Sequence, residues 1–187
     1  MKKIYGVLFL FTLTFASCSK QSDAIIMDLA TPSLKIALDD TGSFAYFIDA
    51  STGKNYILKD ALAPLLSVRV NTEIMHPKAA TATDSTITLN FENDIVATIK
   101  VKEKNTHFTF ELLSITNNDA VELIIWGPYP TSIQKIISET VGVVRDDDFA
   151  IGIQSLNIKT LGGYPWNESD RMPAFDIFKE EELNGMH

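Results

Sequence analysis

The chain is poor in the residues that usually carry reaction chemistry. It has one cysteine in 187 residues, so no intramolecular disulfide can form. Its three histidines, His76, His107 and His187, form no local pair, and each is expected to be exposed. No Gly-x-Ser-x-Gly elbow occurs, so nucleophilic catalysis has little support. Positive charge is also scarce: 16 Lys and Arg stand against 24 Asp and Glu, a net charge of -8. A phosphate backbone would be repelled, and no nucleic acid is expected as a partner. The densest basic group is Lys100, Lys102 and Lys104. Its i, i+2 spacing reads as the solvated face of one strand. No pair among the many carboxylates stands out for glycoside hydrolysis, so no general acid is assigned. No cofactor is implied by any motif.

What is present begins with an export signal. Lys2 and Lys3 precede an apolar run over residues 4–15, too short to span a bilayer as an ordinary helix. It leads into Phe15-Ala16-Ser17-Cys18, which resembles a bacterial lipoprotein lipobox. The resemblance implies cleavage before Cys18 and lipid on its sulfur. A plain secretory signal with an incidental cysteine is the alternative. Residues 1–18 are thus read as the signal with its lipobox cysteine, and residues 19–32 as a tether. Several acyl chains would hold the domain firmly, at about 0.8 kcal/mol per buried methylene. The expected location is the bacterial cell envelope, anchored by lipid alone.

The remainder is long enough for one domain with a proper core. Leu34, Ile36 and Leu38 alternate with Lys35 and Ala37, and Asp39-Asp40-Thr41-Gly42 is turn chemistry. Phe44 to Ile48 is the return strand, and Tyr56-Ile57-Leu58 reads as a short third one. Leu66, Val68 and Val70 alternate with Ser67 and Arg69. Residues 72–85 read as a surface loop. Three strands of clean period two follow, around Ile87 to Phe91, Ile95 to Val101 and Phe108 to Leu112. Leu123-Ile124-Ile125-Trp126 breaks the alternation and suggests a strand covered on both faces. Gly127-Pro128-Tyr129-Pro130 must end it. Thr131 and Gln134 have capping-box spacing, which predicts one or two helical turns. A hairpin is expected around Arg145-Asp146-Asp147-Asp148. Short strands at regular spacing, with little helix, give an all-β fold, an antiparallel β-sandwich over residues 33–161. Residues 162–187 read as a linker or the start of a further domain.

Two binding chemistries are weighed. The aspartates at 146–148 could offer oxygens to calcium, but they lack EF-hand spacing, and a solvated hairpin turn is the simpler reading. No metal is assigned. Sugars present apolar faces and rims of hydroxyls, which suit flat aromatic rings beside polar groups. Trp126, Tyr129, Tyr164 and Trp166 lie near glycine and proline, and Asn167 follows. These five are the candidate carbohydrate-binding residues. The alternative is that Trp126 caps the core and the others pack against neighbouring chain.

The stretch WGPYPTSIQKIISETVGVVRDDDFAIGIQSLNIKTLGGYP resembles a segment of large exported lipoproteins of Bacteroidetes. The opening LKIALDDTGSFAYFIDASTGKNYI resembles the start of their N-terminal sandwich domains. Those proteins are similar to glycoside hydrolases, with a β-sandwich before the catalytic domain. The resemblance covers residues 34–165. It implies a super-sandwich or galactose-mutarotase-like fold and a non-catalytic module whose partner is a glycan or a downstream catalytic domain. It carries over no catalytic residue. A stand-alone carbohydrate-binding or adhesive surface lipoprotein is the alternative, and a small polysaccharide lyase or hydrolase is a third.

Overall fold

The computed structural model describes residues 24–137, 142–157 and 159–160. Thirteen strands occur among them: β1 Ile25–Ala30, β2 Leu34–Asp39, β3 Phe44–Asp49, β4 Leu66–Val70, β5 Glu73–Met75, β6 Ala79–Ala82, β7 Thr86–Asn90, β8 Val96–Glu103, β9 Phe108–Ile115, β10 Leu123–Trp126, β11 Ile136–Ile137, β12 Val143–Arg145 and β13 Ala150–Gly152. The described helical structure is one 3-10 turn at Asn118–Ala120. The fold is all-β, antiparallel throughout and sandwich-like.

Four sheets form, ordered β1-β2-β3, β10-β4-β5, β6-β7-β8-β9 and β11-β12-β13. The first three enclose one hydrophobic core. Met27, Ile36 and Phe44 enter it from the first sheet, Leu66 and Val68 from the second, and Ile87, Leu89 and Ile99 from the third. Met27, Ile36, Phe44, Ile87 and Phe110 line one small apolar gap, so the first and third sheets face each other. Each fully buried aliphatic side chain contributes about 1.5–3 kcal/mol. The alternation of β8 is what the core demands: Ala97, Ile99 and Val101 are buried, while Thr98 and Lys100 keep partial contact with water.

The β2–β3 turn shows why its residues are there. Asp39 is buried, and its Oδ1 accepts the N–H groups of Thr41 and Ser43 and the Thr41 hydroxyl. Gly42 has φ +84, and a Cβ there would lie 2.8 Å from Leu89 Cδ2 and 3.0 Å from Pro77. Both the backbone conformation and the close approach exclude a side chain.

Several expectations are corrected. The tether assigned to residues 19–32 contains β1, which pairs with β2 from Ile25↔Asp39 to Ala30↔Lys35. The loop expected over residues 72–85 contains β5 and β6, paired with β4 and β7. Tyr56-Ile57-Leu58 is not a strand; Ile57 makes a single bridge to Thr131. Thr131 therefore belongs to a sheet-like contact, and the helical turns expected after it do not form; Ile136–Ile137 is β11. Leu123–Trp126 is an edge strand, half-buried along its length. The strand covered on both faces is its neighbour β4, every residue of which is buried.

The hairpin of β12 and β13 is present, with Val144 opposite Ile151. It is attached to the body through aromatic stacking: Phe149 lies 4.6 Å from the Tyr56 ring, at an interplanar angle of 8°. Lys54 Nζ is 4.3 Å from the same ring and 3.8 Å from Asp146. A cation over an aromatic face adds about 0.5–1 kcal/mol at such a site.

Candidate functional site

The segment from Trp126 to Pro130 leaves the edge strand β10 and runs beside β4. Trp126 pairs with Leu66 and packs against the core, while remaining half-buried. Gly127 has φ +99, a conformation open to glycine, and its peptide bond to Pro128 is cis. The Gly127 carbonyl accepts a hydrogen bond of 2.8 Å from the Ser67 hydroxyl. The Tyr129 hydroxyl donates to the Leu65 carbonyl at 2.7 Å. The Pro130 carbonyl accepts from the Leu58 N–H at 3.1 Å. Three successive tethers thus fix the turn to the body.

Tyr129 is part of an aromatic cluster. Its ring makes T-shaped contacts with Phe44 at 5.4 Å and Phe47 at 6.2 Å. Burial pushes its phenol far above the ordinary tyrosine range. A residue so engaged anchors the turn, so Tyr129 does not offer a free ring to a sugar. Trp126 caps the core on one side and keeps part of its indole accessible. Tyr164, Trp166 and Asn167 lie outside the described residues, as does Cys18.

The polar residues that alternate along β4 are buried. Ser67 is fully buried and Arg69 is 8% exposed. Both are satisfied at long range: Ser67 by Gly127, and Arg69 Nε by Glu122 Oε2 at 2.8 Å. Ser67 Oγ also lies 3.0 Å from His76 Nδ1. His76 was expected to be exposed and unpartnered, but it is half-buried and joined to this serine.

A serine beside a histidine invites comparison with a catalytic pair, and the hydrogen-bond roles argue against one. The single Ser67 proton goes to Gly127, so Ser67 accepts from His76 and Nδ1 carries the hydrogen. A general base needs a free lone pair facing the nucleophile. The chain of bonds instead crosses three strands of one sheet, from beyond β5 to β4 to beyond β10.

Burial also lowers the His76 pKa. In the unfolded chain a histidine titrates near ~6.5, so below that pH the unfolded state takes a proton that the folded state resists. Stability from this group is full above the unfolded pKa and is lost as pH falls through the folded value. Urea unfolding between pH 8 and pH 5 is expected to show that decline. His76→Asn, which keeps a donor at the Nδ1 position, is expected to flatten it. The Asp49 carboxyl is held below its ordinary range by the hydroxyl of Thr52 and the N–H and hydroxyl of Ser51. Its loss comes at lower pH, below about 4, and survives in the His76 variant. An unchanged slope between pH 8 and pH 5 in His76→Asn would assign the effect elsewhere.

The aspartates at 146–148 serve separate ends. Asp146 Oδ1 accepts the N–H groups of Phe149 and Asp148, which holds its carboxyl below the usual range. Asp147 pairs with Lys135. Among the described residues no group of three or more His, Cys, Asp or Glu is placed to hold a metal ion.

Compared with protein-family models, curated proteins and solved structures, the chain matches none.

Proposed function

We propose that this protein is an exported, lipid-anchored β-sandwich acting as a non-catalytic module of a carbohydrate-processing protein, with the super-sandwich arrangement as its finer fold type. One observation carries the reading. The turn at residues 127–130 is fixed by three hydrogen bonds beside the half-buried Trp126. A flat ring held on a rigid scaffold binds the apolar face of a sugar without the entropy cost of ordering a loop.

Dropping Tyr129 leaves Trp126, with Tyr164, Trp166 and Asn167, as the carbohydrate-contacting set. Glycan-array screening of the chain, followed by calorimetry on any hit, tests this. Trp126→Ala and Trp166→Ala together are expected to weaken binding at least tenfold. Binding that survives both substitutions in a folded variant sinks the site. Turnover of a polysaccharide by the chain alone would replace the non-catalytic reading.

A further inference from the structure

On the outer face of the β6-β7-β8-β9 sheet, cross-strand registers place Thr81 beside Thr88, Thr88 beside Thr98, and Thr98 beside Ser114. This is an unbroken row of four hydroxyls across four strands. One step along the strands, Lys100 stands between Thr86 and Glu111, and beyond it Lys102 stands beside Thr109. Lys104 continues the series in the exposed β8–β9 turn, where its N–H is bonded to the His107 carbonyl. Alternate strand positions lie ~7 Å apart, so Lys100 and Lys102 are neighbours on one face, and Lys104 follows them at the start of the turn.

What sets this stripe apart is its placement, three cations along one stretch of a chain of net charge -8; Lys35, Lys59 and Lys159 likewise make no ion pair with a described residue. Lys54, Arg69, Lys78 and Lys135 each meet a carboxylate. Lys100, Lys102 and Lys104 make no ion pair with any described residue. Glu103 does not neutralise them, because it points to the other side and accepts the Ala30 N–H. Glu111 stands directly opposite Lys100 without an ion pair to it.

We propose that this face binds an acidic polysaccharide, its carboxylates or sulfates on the lysine stripe and its hydroxyls on the threonine row. Choosing a glycan among polyanions rests on the function proposed above. The three lysines supply a local attraction that must outweigh the repulsion from a chain of net charge -8, and the hydroxyl row supplies partners that a bare anion would not use. An anionic membrane fits less well. Recognition of that kind takes about four to eight basic residues at about 1 kcal/mol each. The turn between the strands, Asn105-Thr106-His107, also has no apolar side chain to insert. A nucleic acid fits less well again, since the face has no aromatic ring for base stacking.

Calorimetry on the full chain with polygalacturonate, dextran and phosphatidylglycerol vesicles tests the assignment. Polygalacturonate is expected to bind and to weaken as salt rises. Lys100→Glu, Lys102→Glu and Lys104→Glu combined should weaken it at least tenfold in a variant that still unfolds cooperatively. The matching Lys→Arg triple should retain it. Failure to bind polygalacturonate, or binding indifferent to the Glu triple, overturns the proposal. So does lysine-dependent binding to vesicles without binding to polygalacturonate. Neutral-glycan binding that responds to Trp126→Ala but not to the lysine variants would leave the earlier reading standing while this one falls.

Discussion

Tyr129→Ala is expected to destabilise the protein by about 3 kcal/mol, and Tyr129→Phe by about 1–2 kcal/mol. The two numbers separate two roles of one residue. Alanine removes the ring from the cluster of Phe44, Phe47 and Phe110, in which Phe44 and Phe47 lie 4.9 Å apart. Truncating a fully enclosed aromatic costs about 3–5 kcal/mol, and the partial exposure of Tyr129 places it at the lower end. Phenylalanine keeps the ring and removes only the hydroxyl. It leaves the Leu65 carbonyl, on a fully buried residue, without its donor. The alkaline limb of a stability profile gives a second check. Burial holds the Tyr129 phenol protonated when folded, whereas the unfolded chain ionises near ~10. Stability from this group is full below the unfolded pKa and lost as pH rises above it. The Phe variant should lose less between pH 9 and pH 11 than the parent. Equal losses in both would mean that the phenol is not enclosed in solution.

That residue also marks where reading the sequence stops. Its neighbours, glycine and two prolines, announce a turn, and turns usually lie in water. Nothing local indicates that its hydroxyl is satisfied by a carbonyl 64 positions away. The same limit explains β4. Alternation of Leu66, Val68 and Val70 with Ser67 and Arg69 correctly gives a strand and its core face. It says nothing of where the polar residues go, because their partners lie 60 and 53 positions along the chain. Among the strands that were legible, β3, β7 and β8 have apolar side chains on one face and water on the other, whereas β2 alternates in sequence but is buried on both faces from Ile36 to Asp39. The strands that were missed have weak patterns of their own. Ala79-Ala80-Thr81-Ala82 has little apolar surface, and its ladder with β7 makes it a strand. Ile25–Ala30 has no clean alternation and owes its conformation to β2. Of the candidate site, the packing of Trp126 against the core was one of the two readings the sequence offered, while the anchoring of Tyr129 depended on long-range partners.

Glu122→Ala is expected to cost about 2–3 kcal/mol, a large effect for a carboxylate that is partly in water. Its side chain is 35% exposed, but its partner Arg69 is 10% exposed at the side chain. Removing the acid takes away the carboxylate that the enclosed Arg69 Nε meets at 2.8 Å. Such losses run to about 3–5 kcal/mol in dry interiors and less where water can reach the survivor. Glu122 also receives the Thr72 N–H at 3.3 Å, in the tight β4–β5 turn where Asn71 and Thr72 both have positive φ. The backbone N–H of Glu122 bonds to the Arg69 carbonyl, so this residue joins the start of β10 to both β4 and its turn. Arg69→Met distinguishes a charge effect from a turn effect. In the Glu122→Ala background it removes the buried guanidinium that faced the lost acid and should recover part of the loss, whereas alone it is destabilising. A double-mutant cycle by urea unfolding should give a coupling of about 1–2 kcal/mol. Additive costs would assign the role of Glu122 to the turn rather than to Arg69.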